Sequence, residues 1–516
     1  MKPDKTKKSI TEKIRETGKH TFIYGVGAVL QGVIGFALIP LYTKSFSAEL
    51  YGVLTLINLC GVIASTVFSL GAASALSRSY FEYEDDDSRR KVVATALLIS
   101  VVGALFQISI GILVGSHVSR ALFNTEVYAL HVTLVCASSS LGFINGLFYA
   151  LLRLERRSSL VLALNACALT TNIVLVLHFL QIWKIGILAP ILADAVISTL
   201  LFFVLVVVNR RHFGASASRK ELKLQLAWGV PCTVIAIGQI SSEWLDRFVI
   251  QNFDTAEDVG IYSFACRISM VIVSFFIGPF GFIWSPIRME YYKDEIAPQL
   301  FSRILTYYFI VGTVLLVVLS LWAGEVAAIF ARNPSYLKAV GVIPLVMFSS
   351  LIFGAINIVD IGVAVSRNIK ISVCIFSITA AFSFLANCIF VPVYGYSASP
   401  VIKLVCSLVV VVATLTASQQ YFRVQYQFLR IVAILGVAAL AVAFGSLFNG
   451  SSYHQGLIFG VKLVCLAGFI ATVIRFGLVQ QERENLFKSL HSQCIYSWVW
   501  GKSLASQVSK AIMGLL

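Results

Sequence analysis

Long apolar runs, separated by short polar breaks, constrain this chain more than any other feature. The runs are about 18–25 residues long, the length an α-helix needs to cross a bilayer. Backbone N–H and C=O groups find no water inside a bilayer, so each run is predicted to be a helix. Of the 516 residues, 58% are hydrophobic and 13% are charged, about half the charged share of a typical soluble domain. The sequence therefore predicts an all-α polytopic membrane protein.

Fourteen spans are predicted, with both termini on one side of the membrane. They lie near residues 21–42, 52–76, 93–114, 127–151, 159–180, 185–208, 226–250, 259–284, 303–324, 340–364, 371–392, 398–417, 429–447 and 456–475. The basic segment 1–20 precedes a run of full length that lacks a small-residue cleavage site. We interpret that run as an uncleaved first span.

The net charge of +15 reflects membrane topology rather than nucleic-acid binding. With both termini in the cytoplasm, 31 of the 40 Lys and Arg residues fall in cytoplasmic segments. Such a skew follows the positive-inside rule. The sequence thus predicts a multi-pass protein of the cell inner (plasma) membrane with cytoplasmic termini.

A weak internal repeat, offset by 208 residues, relates two helical hairpins. Eight of 53 positions match between 31–83 and 239–291, and the motif A-E-x-x-G recurs at 48–52 and 256–260. The offset contains six spans, and an even number gives the two halves one orientation. Parallel repeats of this kind build transporters with the substrate path between the halves. The alternative is chance similarity of two hairpins.

The repeat predicts two six-helix bundles related by a parallel pseudo-twofold axis, followed by two C-terminal helices. The bundles occupy 21–208 and 226–417 and are joined by a cytoplasmic linker at 209–225. The two extra transmembrane helices lie in 429–475. The tail 476–516 is predicted to be cytoplasmic, either as an amphipathic helix on the membrane surface or as a tethered segment.

One arginine breaks the repeat deep inside a span. Arg267 lies about eight residues into its span, roughly 12 Å along the helix axis, and Leu59 holds the equivalent position. Charge within a bilayer is costly and marks a functional site by default. Two interpretations are open: Arg267 faces a central cavity and binds an anion, or it neutralises a buried carboxylate, Asp194 or Asp360.

Three further basic residues are candidates for contact with an anionic substrate. Arg247 and Lys403 lie near the outer ends of spans, where the alternative is that their side chains extend to the membrane interface. Arg78 ends the second span on the cytoplasmic side. There it either guides an anionic head group or merely follows the positive-inside rule.

Four acidic residues within spans are candidates for coupling transport to H⁺ or Na⁺. Asp194 lies near mid-depth and Asp360 nearer the inner face, whereas Glu243 and Asp246 lie near the outer end of the seventh span. Glu243 and Arg247 are four residues apart, so their side chains are expected to pair along one helix face.

Motifs for catalysis, metal binding or cofactor binding are absent from the sequence. It has no Gly-rich phosphate loop, no H-E-x-x-H and no nucleophile elbow, and its ten cysteines lack metal-ligand spacing. The longest outside breaks, 115–126 and 325–339, are too short to hold the site of a glycan polymerase. We therefore predict a transporter rather than an enzyme, with no cofactor.

Four stretches of the chain are similar to motifs of one transporter family. They are T-F-I-Y-G-V-G-A-V-L-Q-G-V-I-G-F-A-L-I-P-L-Y-T (21–43), S-A-E-L-Y-G-V-L (47–54), A-L-S-R-S-Y-F-E-Y (75–83) and L-D-R-F-V-I…A-E-D-V-G-I-Y-S-F-A-C-R-I (245–268). They resemble Wzx-type oligosaccharide flippases, in the polysaccharide transporter branch of the MATE-like (MOP) superfamily. The resemblance extends over the helical layout, about 20–475.

The resemblance implies a V-shaped transporter with a central cationic cavity and alternating access. Its substrate would be a lipid-diphosphate-linked oligosaccharide, moved from the cytoplasmic to the outer leaflet for O-antigen, capsule or exopolysaccharide assembly. The implied partners are membrane lipid, a glycan polymerase and a chain-length regulator. The resemblance carries Arg78, Asp246, Arg247 and Arg267 over as cavity residues, whereas Lys403 rests on its intramembrane charge. Arginine suits this substrate because it binds phosphate through two parallel hydrogen bonds.

The main alternative is a multidrug or small-cation exporter of the same superfamily, which would be expected to have an acidic or aromatic cavity. A membrane enzyme of the polysaccharide pathway is another. The third is a scaffold that recruits glycosyltransferases through the tail 476–516.

Overall fold

A computed structural model describes residues 36–477, except residues 37, 215, 367 and 448–454. Every regular element in that part of the chain is a helix, as the apolar runs predict. The first, α1, is described over residues 38–45. The others are α2 Ala48–Phe68, α3 Ala72–Ser79, α4 Asp86–Phe123, α5 Ala129–Leu154, α6 Ser158–His178, α7 Leu188–Val208, α8 Arg219–Trp244, α9 Asp246–Phe253, α10 Ala256–Ile272, α11 Gly278–Tyr291, α12 Ala297–Leu321, α13 Ala323–Phe330, α14 Ile343–Gly354, α15 Ile356–Val359, α16 Ile361–Ser366, α17 Ile369–Tyr394, α18 Ala398–Gln419, α19 Phe428–Ser446 and α20 Gln455–Gly477.

The multi-pass prediction is confirmed. Within the described residues, eleven helical stretches are long and apolar enough to cross a membrane, or twelve if a pair bent by 53° counts as one span. One of these stretches, Ile369–Gln419, contains both α17 and α18, which are separated at Gly395 (φ 63°). Most of the first predicted span and the predicted tail beyond residue 477 lie outside the described residues. The count of fourteen spans stays a prediction.

The A-E-x-x-G motif begins a helix in both repeats. Ser47 and Thr255, which are also 208 residues apart, cap α2 and α10. Their hydroxyl oxygens accept hydrogen bonds from the backbone N–H groups of Leu50 and Asp258, each at 3.2 Å. The glutamate of each motif lies in the first helical turn, where a negative charge interacts favourably with the helix dipole. Local capping chemistry therefore sets the start of both helices.

The glycines of the two motifs bring α2 and α10 into backbone contact. A Cβ atom at Gly52 would overlap the carbonyl oxygen of Ala256, and a Cβ atom at Gly260 would overlap that of Ala48. The contact is reciprocal, as a twofold relation between the two hairpins requires. Only glycine permits so close an approach of two helix backbones. The repeated motif is therefore the contact point between the two repeats.

The first repeat is interrupted where the sequence predicts an unbroken span, and the second repeat has an irregular but continuous helix near the equivalent place. Leu70 and Gly71 have positive φ angles of 46° and 64° and separate α2 from α3. In the second repeat, a π-helical segment, Val273–Ile277, separates α10 from α11. At Gly71 the cause is close packing, because a Cβ atom there would overlap the backbone of Gly229 in α8. The predicted span 340–364 is also broken, into α14, α15 and α16.

The acidic residues 84–87, which precede the third predicted span, lie at the start of helix α4. Asp85 caps α4 by accepting a hydrogen bond from the backbone N–H of Ser88 at 2.8 Å. Hydrogen bonds from the Ser88 hydroxyl and backbone N–H lower the pKa of the Asp85 carboxyl, because they stabilise its charged form. The next two aspartates lie in the first turn of α4.

The helix α8 begins within the segment predicted as a linker, 209–225. Near its start, the Tyr83 hydroxyl donates to Glu221 Oε1 at 2.6 Å, and Gln225 Nε2 donates to the backbone oxygen of Val92 at 2.9 Å. Further along, α8 packs against α17. One helix therefore contacts elements of both predicted bundles.

The chain divides into two compact units. The first, Met1–Phe301 with Trp322–Gln425, contains both repeats. In the second, Ser302–Leu321 with Tyr426–Leu516, α19 packs against α20, and Gly445 of α19 lies against Leu321 of α12. The boundaries of the two six-helix bundles stay a prediction.

Alanine at Gly52 or Gly260 is expected to destabilise the protein by about 1–3 kcal/mol, because the added methyl group meets backbone that cannot rotate away. The thermal midpoint of the monodisperse peak, measured by size-exclusion chromatography in detergent, checks this. Gly146→Ala is the matched control, since a Cβ atom at Gly146 meets nothing within 4 Å. Equal midpoints for the three variants would contradict the backbone contact.

Candidate functional site

A cavity of about 390 Å³ lies between the two repeats in the first unit. The first repeat contributes Tyr42, Tyr51, Leu54, Thr55, Asn58, Leu59 and Val62. Residues that follow in the chain contribute Glu243, Trp244, Arg247, Ser263, Cys266, Arg267, Met270, Val273, Ile277, Val346, Ser350, Phe353, Gly354, Asn357 and Lys403. Equivalent positions of the two repeats both contribute to the lining, for example Leu59 and Arg267. Related helices of the two repeats therefore line one cavity.

Arg267 lies on the cavity wall and is partly exposed. Its guanidinium lies 4.0 Å from the Sδ atom of Met270. Within the described part of the chain, no carboxylate lies within 4 Å of it to form an ion pair. The predicted alternative of a bridge to Asp360 is not formed, because Asp360 pairs with Arg288. The other suggested partner, Asp194, instead accepts a hydrogen bond from Asn172 Nδ2 at 2.7 Å.

Arg247 is buried in an ion pair rather than extended to the membrane interface. Only 2% of its surface is exposed. Its NH1 group lies 3.0 Å from Asp246 Oδ1 and donates to the backbone oxygen of Glu243 at 3.0 Å. The guanidinium also lies 4.4 Å from the centre of the Trp244 ring, and the Tyr262 hydroxyl donates to Asp246 Oδ2 at 2.5 Å. The positive charge of Arg247 is therefore balanced within the protein.

The carboxylate of Glu243 pairs with Lys403 rather than with Arg247 as predicted. Lys403 Nζ lies 2.6 Å from Glu243 Oε2 and donates to the backbone oxygen of Glu243 at 3.1 Å. The prediction assumed one continuous helix, but α8 ends at Trp244 and α9 begins at Asp246. The pair ties α8 to α18, and 5% of the Lys403 surface is exposed.

Four of the eight predicted site residues lie outside the cavity lining. One of them, Asp246, pairs with Arg247, which belongs to the lining. Arg78 stacks on the Trp228 ring of α8 at 4.0 Å and lies 3.8 Å from Glu82. Asp194 is on α7 and is exposed. Asp360 lies between α15 and α16, paired with Arg288. The structure thus brings Glu243, Arg247, Arg267 and Lys403 together on the cavity lining, with Asp246 paired to Arg247. Arg78 and Asp360 lie apart from them, whereas Asp194 lies outside the lining but close enough to interact electrostatically with Arg267.

Arg288 was missed because the predicted eighth span ended at residue 284. The helix α11 continues to Tyr291, and Arg288 NH1 also donates to the backbone oxygen of Asn357 at 2.7 Å. The cavity residues Thr55 and Asn58 were missed as well. The offset of 208 could have found them, because Thr55 is equivalent to Ser263 and Asn58 to Cys266, both on the cavity face of α10.

The ionisable groups at the cavity leave one unpaired charge among the described residues. Lys403 is neutralised by Glu243, and Arg247 by Asp246. The positive charge that remains is Arg267. Such a wall attracts an anion, because in a low-dielectric site an unpaired cation gains most from an opposite charge. Within the described chain, no group of His, Cys, Asp or Glu residues is arranged to hold a metal ion.

The fold is that of the MATE-like transporters and flippases. A structure of the lipid II flippase MurJ, in an inward closed conformation, superposes with a TM-score of 0.70 at 14% identity, covering 88% of this chain and 99% of that one. An inward-facing multidrug resistance MATE transporter of the MOP superfamily superposes with a TM-score of 0.58 at 14% identity, covering 79% and 95%. A mutant form of the Vibrio cholerae MATE transporter VcmN gives a TM-score of 0.54 at 12% identity, covering 79% and 98%.

The family is identified from sequence. A family model described as polysaccharide biosynthesis protein matches residues 17–292, more than half of the chain, and the chain belongs to that family. No curated protein sequence matches the chain. The predicted relation to polysaccharide-related transporters is thereby confirmed at the level of the family, and the predicted MATE-like fold is confirmed by the structural similarity.

Lys403→Met is expected to destabilise the protein by up to about 3 kcal/mol, because it leaves Glu243 without its cation. The double variant Lys403→Met/Glu243→Gln should recover most of this loss. Thermal midpoints in detergent, analysed as a double-mutant cycle, check the coupling. Lys338→Met is the control, since its pair with Glu257 at 3.5 Å is exposed and contributes at most about 1 kcal/mol. A parent-like midpoint for Lys403→Met would contradict the buried pair.

Proposed function

We propose that this protein flips a lipid-diphosphate-linked oligosaccharide from the cytoplasmic to the outer leaflet of the inner membrane, for assembly of a surface polysaccharide. The reaction is transport by alternating access, without bond making or breaking. The unpaired Arg267 on the cavity wall carries this proposal. Membership of the polysaccharide biosynthesis family supports it.

The chemistry of the substrate explains why an arginine is needed. A diphosphate taken through hydrocarbon loses its hydration, which costs several kcal/mol or more per charge. A guanidinium offers two parallel hydrogen bonds to a phosphate and replaces part of that hydration. Arg267 provides this group inside the cavity, and the buried cations Arg247 and Lys403 contribute by holding the wall in place. Arg78, outside the cavity, is proposed to meet the anionic head group at the cytoplasmic mouth.

An exporter of drugs or small cations has the same fold, so the fold does not separate the two functions. The charges that line the cavity support one of the two functions. A cation-binding cavity needs unpaired carboxylates, whereas Glu243 and Asp246 each face a cation. The described cavity wall therefore favours an anionic substrate.

For coupling to H⁺ or Na⁺ we propose Asp194 as the main group. Of the four acidic candidates, Glu243, Asp246 and Asp360 each pair with a basic side chain. Asp194 is exposed and has Asn172 as its hydrogen-bond partner, with no cation within 4 Å in the described chain. Arg267 interacts with Asp194 electrostatically without contacting it. Among the four carboxylates, Asp194 is therefore the one without a direct ion pair and the one best able to take up a cation.

Arg267→Ala is expected to reduce surface glycan at least tenfold while membrane abundance stays normal, because the substrate phosphate loses its charge-assisted hydrogen bonds. Arg267→Lys should retain only part of the parent level of surface glycan, since an ammonium group cannot form two parallel hydrogen bonds to a phosphate. Surface glycan by immunoblot and protein abundance by membrane fractionation check this.

The control for this test is Arg120→Ala, which removes an exposed arginine paired with Glu126 at 3.0 Å and should change nothing. Normal glycan in Arg267→Ala at normal abundance would rule out Arg267 as the phosphate ligand. Low abundance that Arg267→Ala/Asp194→Asn restores would show that Arg267 neutralises Asp194 instead.

Asp194→Asn is expected to abolish the dependence of transport on an imposed H⁺ or Na⁺ gradient, because the amide keeps the shape of the side chain but cannot bind a cation. Flipping of a fluorescent lipid-linked sugar in proteoliposomes, with and without each gradient, measures this. Asp85→Asn is the control, since asparagine caps a helix as well as aspartate does. Unchanged gradient dependence in Asp194→Asn would contradict the assignment.

A further inference from the structure

The charged residues of the cavity lining all come from one part of the chain. Four of the lining residues are charged at neutral pH, Glu243, Arg247, Arg267 and Lys403, and all of them follow residue 226. The lining residues of the first repeat, from Tyr42 to Val62, include no ionisable acid or base that is charged at neutral pH. The sequence 21–35, just before α1, also contains no Lys, Arg, Asp or Glu.

The wall formed by the first repeat is neutral but able to form hydrogen bonds. Asn58 is exposed to the cavity, and its amide makes no hydrogen bond within the described residues. The hydroxyl of Thr55, one turn away, donates to the backbone oxygen of Tyr51 at 2.8 Å and keeps its acceptor capacity. The ring of Tyr42 is partly exposed beside them. An amide, a hydroxyl and an aromatic ring supply donors, acceptors and a flat apolar face without charge.

From this asymmetry we infer a fixed orientation of the substrate: its anionic diphosphate binds Arg267 on the wall of the second repeat, and its neutral sugar binds Asn58, Thr55 and Tyr42 on the wall of the first repeat. The inference rests on the proposed function and deepens it. If the orientation is fixed, substrate binding depends on where the cation lies in the cavity as well as on its presence. It also assigns recognition of the sugar nearest the lipid to Asn58.

The physical reason is that each wall satisfies one part of the substrate and not the other. Sugar hydroxyls need neutral donors and acceptors, and a buried polar group left without a partner costs free energy. A diphosphate placed against the first repeat would lose its direct contact with the Arg267 guanidinium, and no lining residue of that repeat carries a positive charge to replace it. A substrate bound in the reverse orientation therefore loses both the contacts of its diphosphate with Arg267 and the contacts of its sugar with the first repeat.

The test measures dissociation constants for the full chain in nanodiscs with two probes. One is a short-chain polyprenyl diphosphate, and the other is the same lipid carrying a neutral disaccharide. Arg267→Leu should weaken both probes by at least about tenfold. Asn58→Leu, similar in size, should weaken only the glycosylated probe, by about fivefold.

The deciding variant moves the cation to the other wall. Arg267→Leu/Asn58→Arg should bind both probes as weakly as Arg267→Leu does. Asn58→Arg alone is the folding control, because this exposed side chain has room for a longer one. If Asn58→Arg is not monodisperse, Val62→Arg takes its place both alone and in combination with Arg267→Leu. Val62 lines the same wall and is 42% exposed.

The outcomes separate the inference from the function on which it rests. Regained affinity in the double variant would overturn the fixed orientation, because a cation on either wall would then suffice. An equal effect of Asn58→Leu on both probes, or no effect, would overturn the assignment of the sugar to the first wall. Parent-like affinity of Arg267→Leu for both probes would instead contradict the proposed function itself.

Discussion

The close backbone contact of α2 with α10 is the constraint on which the rest of the site depends. Gly52 and Gly260 each lie against the backbone of the facing helix, so neither position accepts a side chain. Beyond the glycines, both helices contribute to the cavity lining, from Tyr51 to Val62 on α2 and from Ser263 to Met270 on α10. Leu56 of α2 also packs with Tyr262 and Cys266 of α10 in one buried cluster. The backbone contact at the glycines therefore fixes how the two cavity-lining helices lie against each other.

Charge pairing decides which of the cavity residues remain available to a ligand. Ion pairs at 2.6 Å and 3.0 Å neutralise Lys403 and Arg247 and hold α8, α9 and α18 together. In a medium of low dielectric constant, such pairs are costly to break, so these two cations act as structure. Arg267 differs because its equivalent in the first repeat is a leucine and because no carboxylate of the described chain lies within ion-pair distance of it; Asp194 interacts with it only at longer range. A helical frame of this kind does not fix the substrate, so the side chains on the cavity wall do.

Local sequence determined much of this protein. The apolar runs predicted helices because hydrocarbon leaves the backbone no other hydrogen-bond partners. The offset of 208 located the two capped helix starts and the equivalence of Leu59 with Arg267. These features depend on composition, periodicity and residues a few positions apart, all of which are present in the linear chain.

Only the tertiary structure decided the interruptions and the ion-pair partners. The turn at Leu70 and Gly71 exists because α8 approaches the backbone there, and no local pattern reports that approach. Helical spacing predicted that Glu243 pairs with Arg247, but the break at Leu245 separates the two helices, and Glu243 instead meets Lys403, 160 residues later in the chain. The choice of partner in a low-dielectric interior depends on three-dimensional distance, which sequence spacing gives only within one unbroken helix.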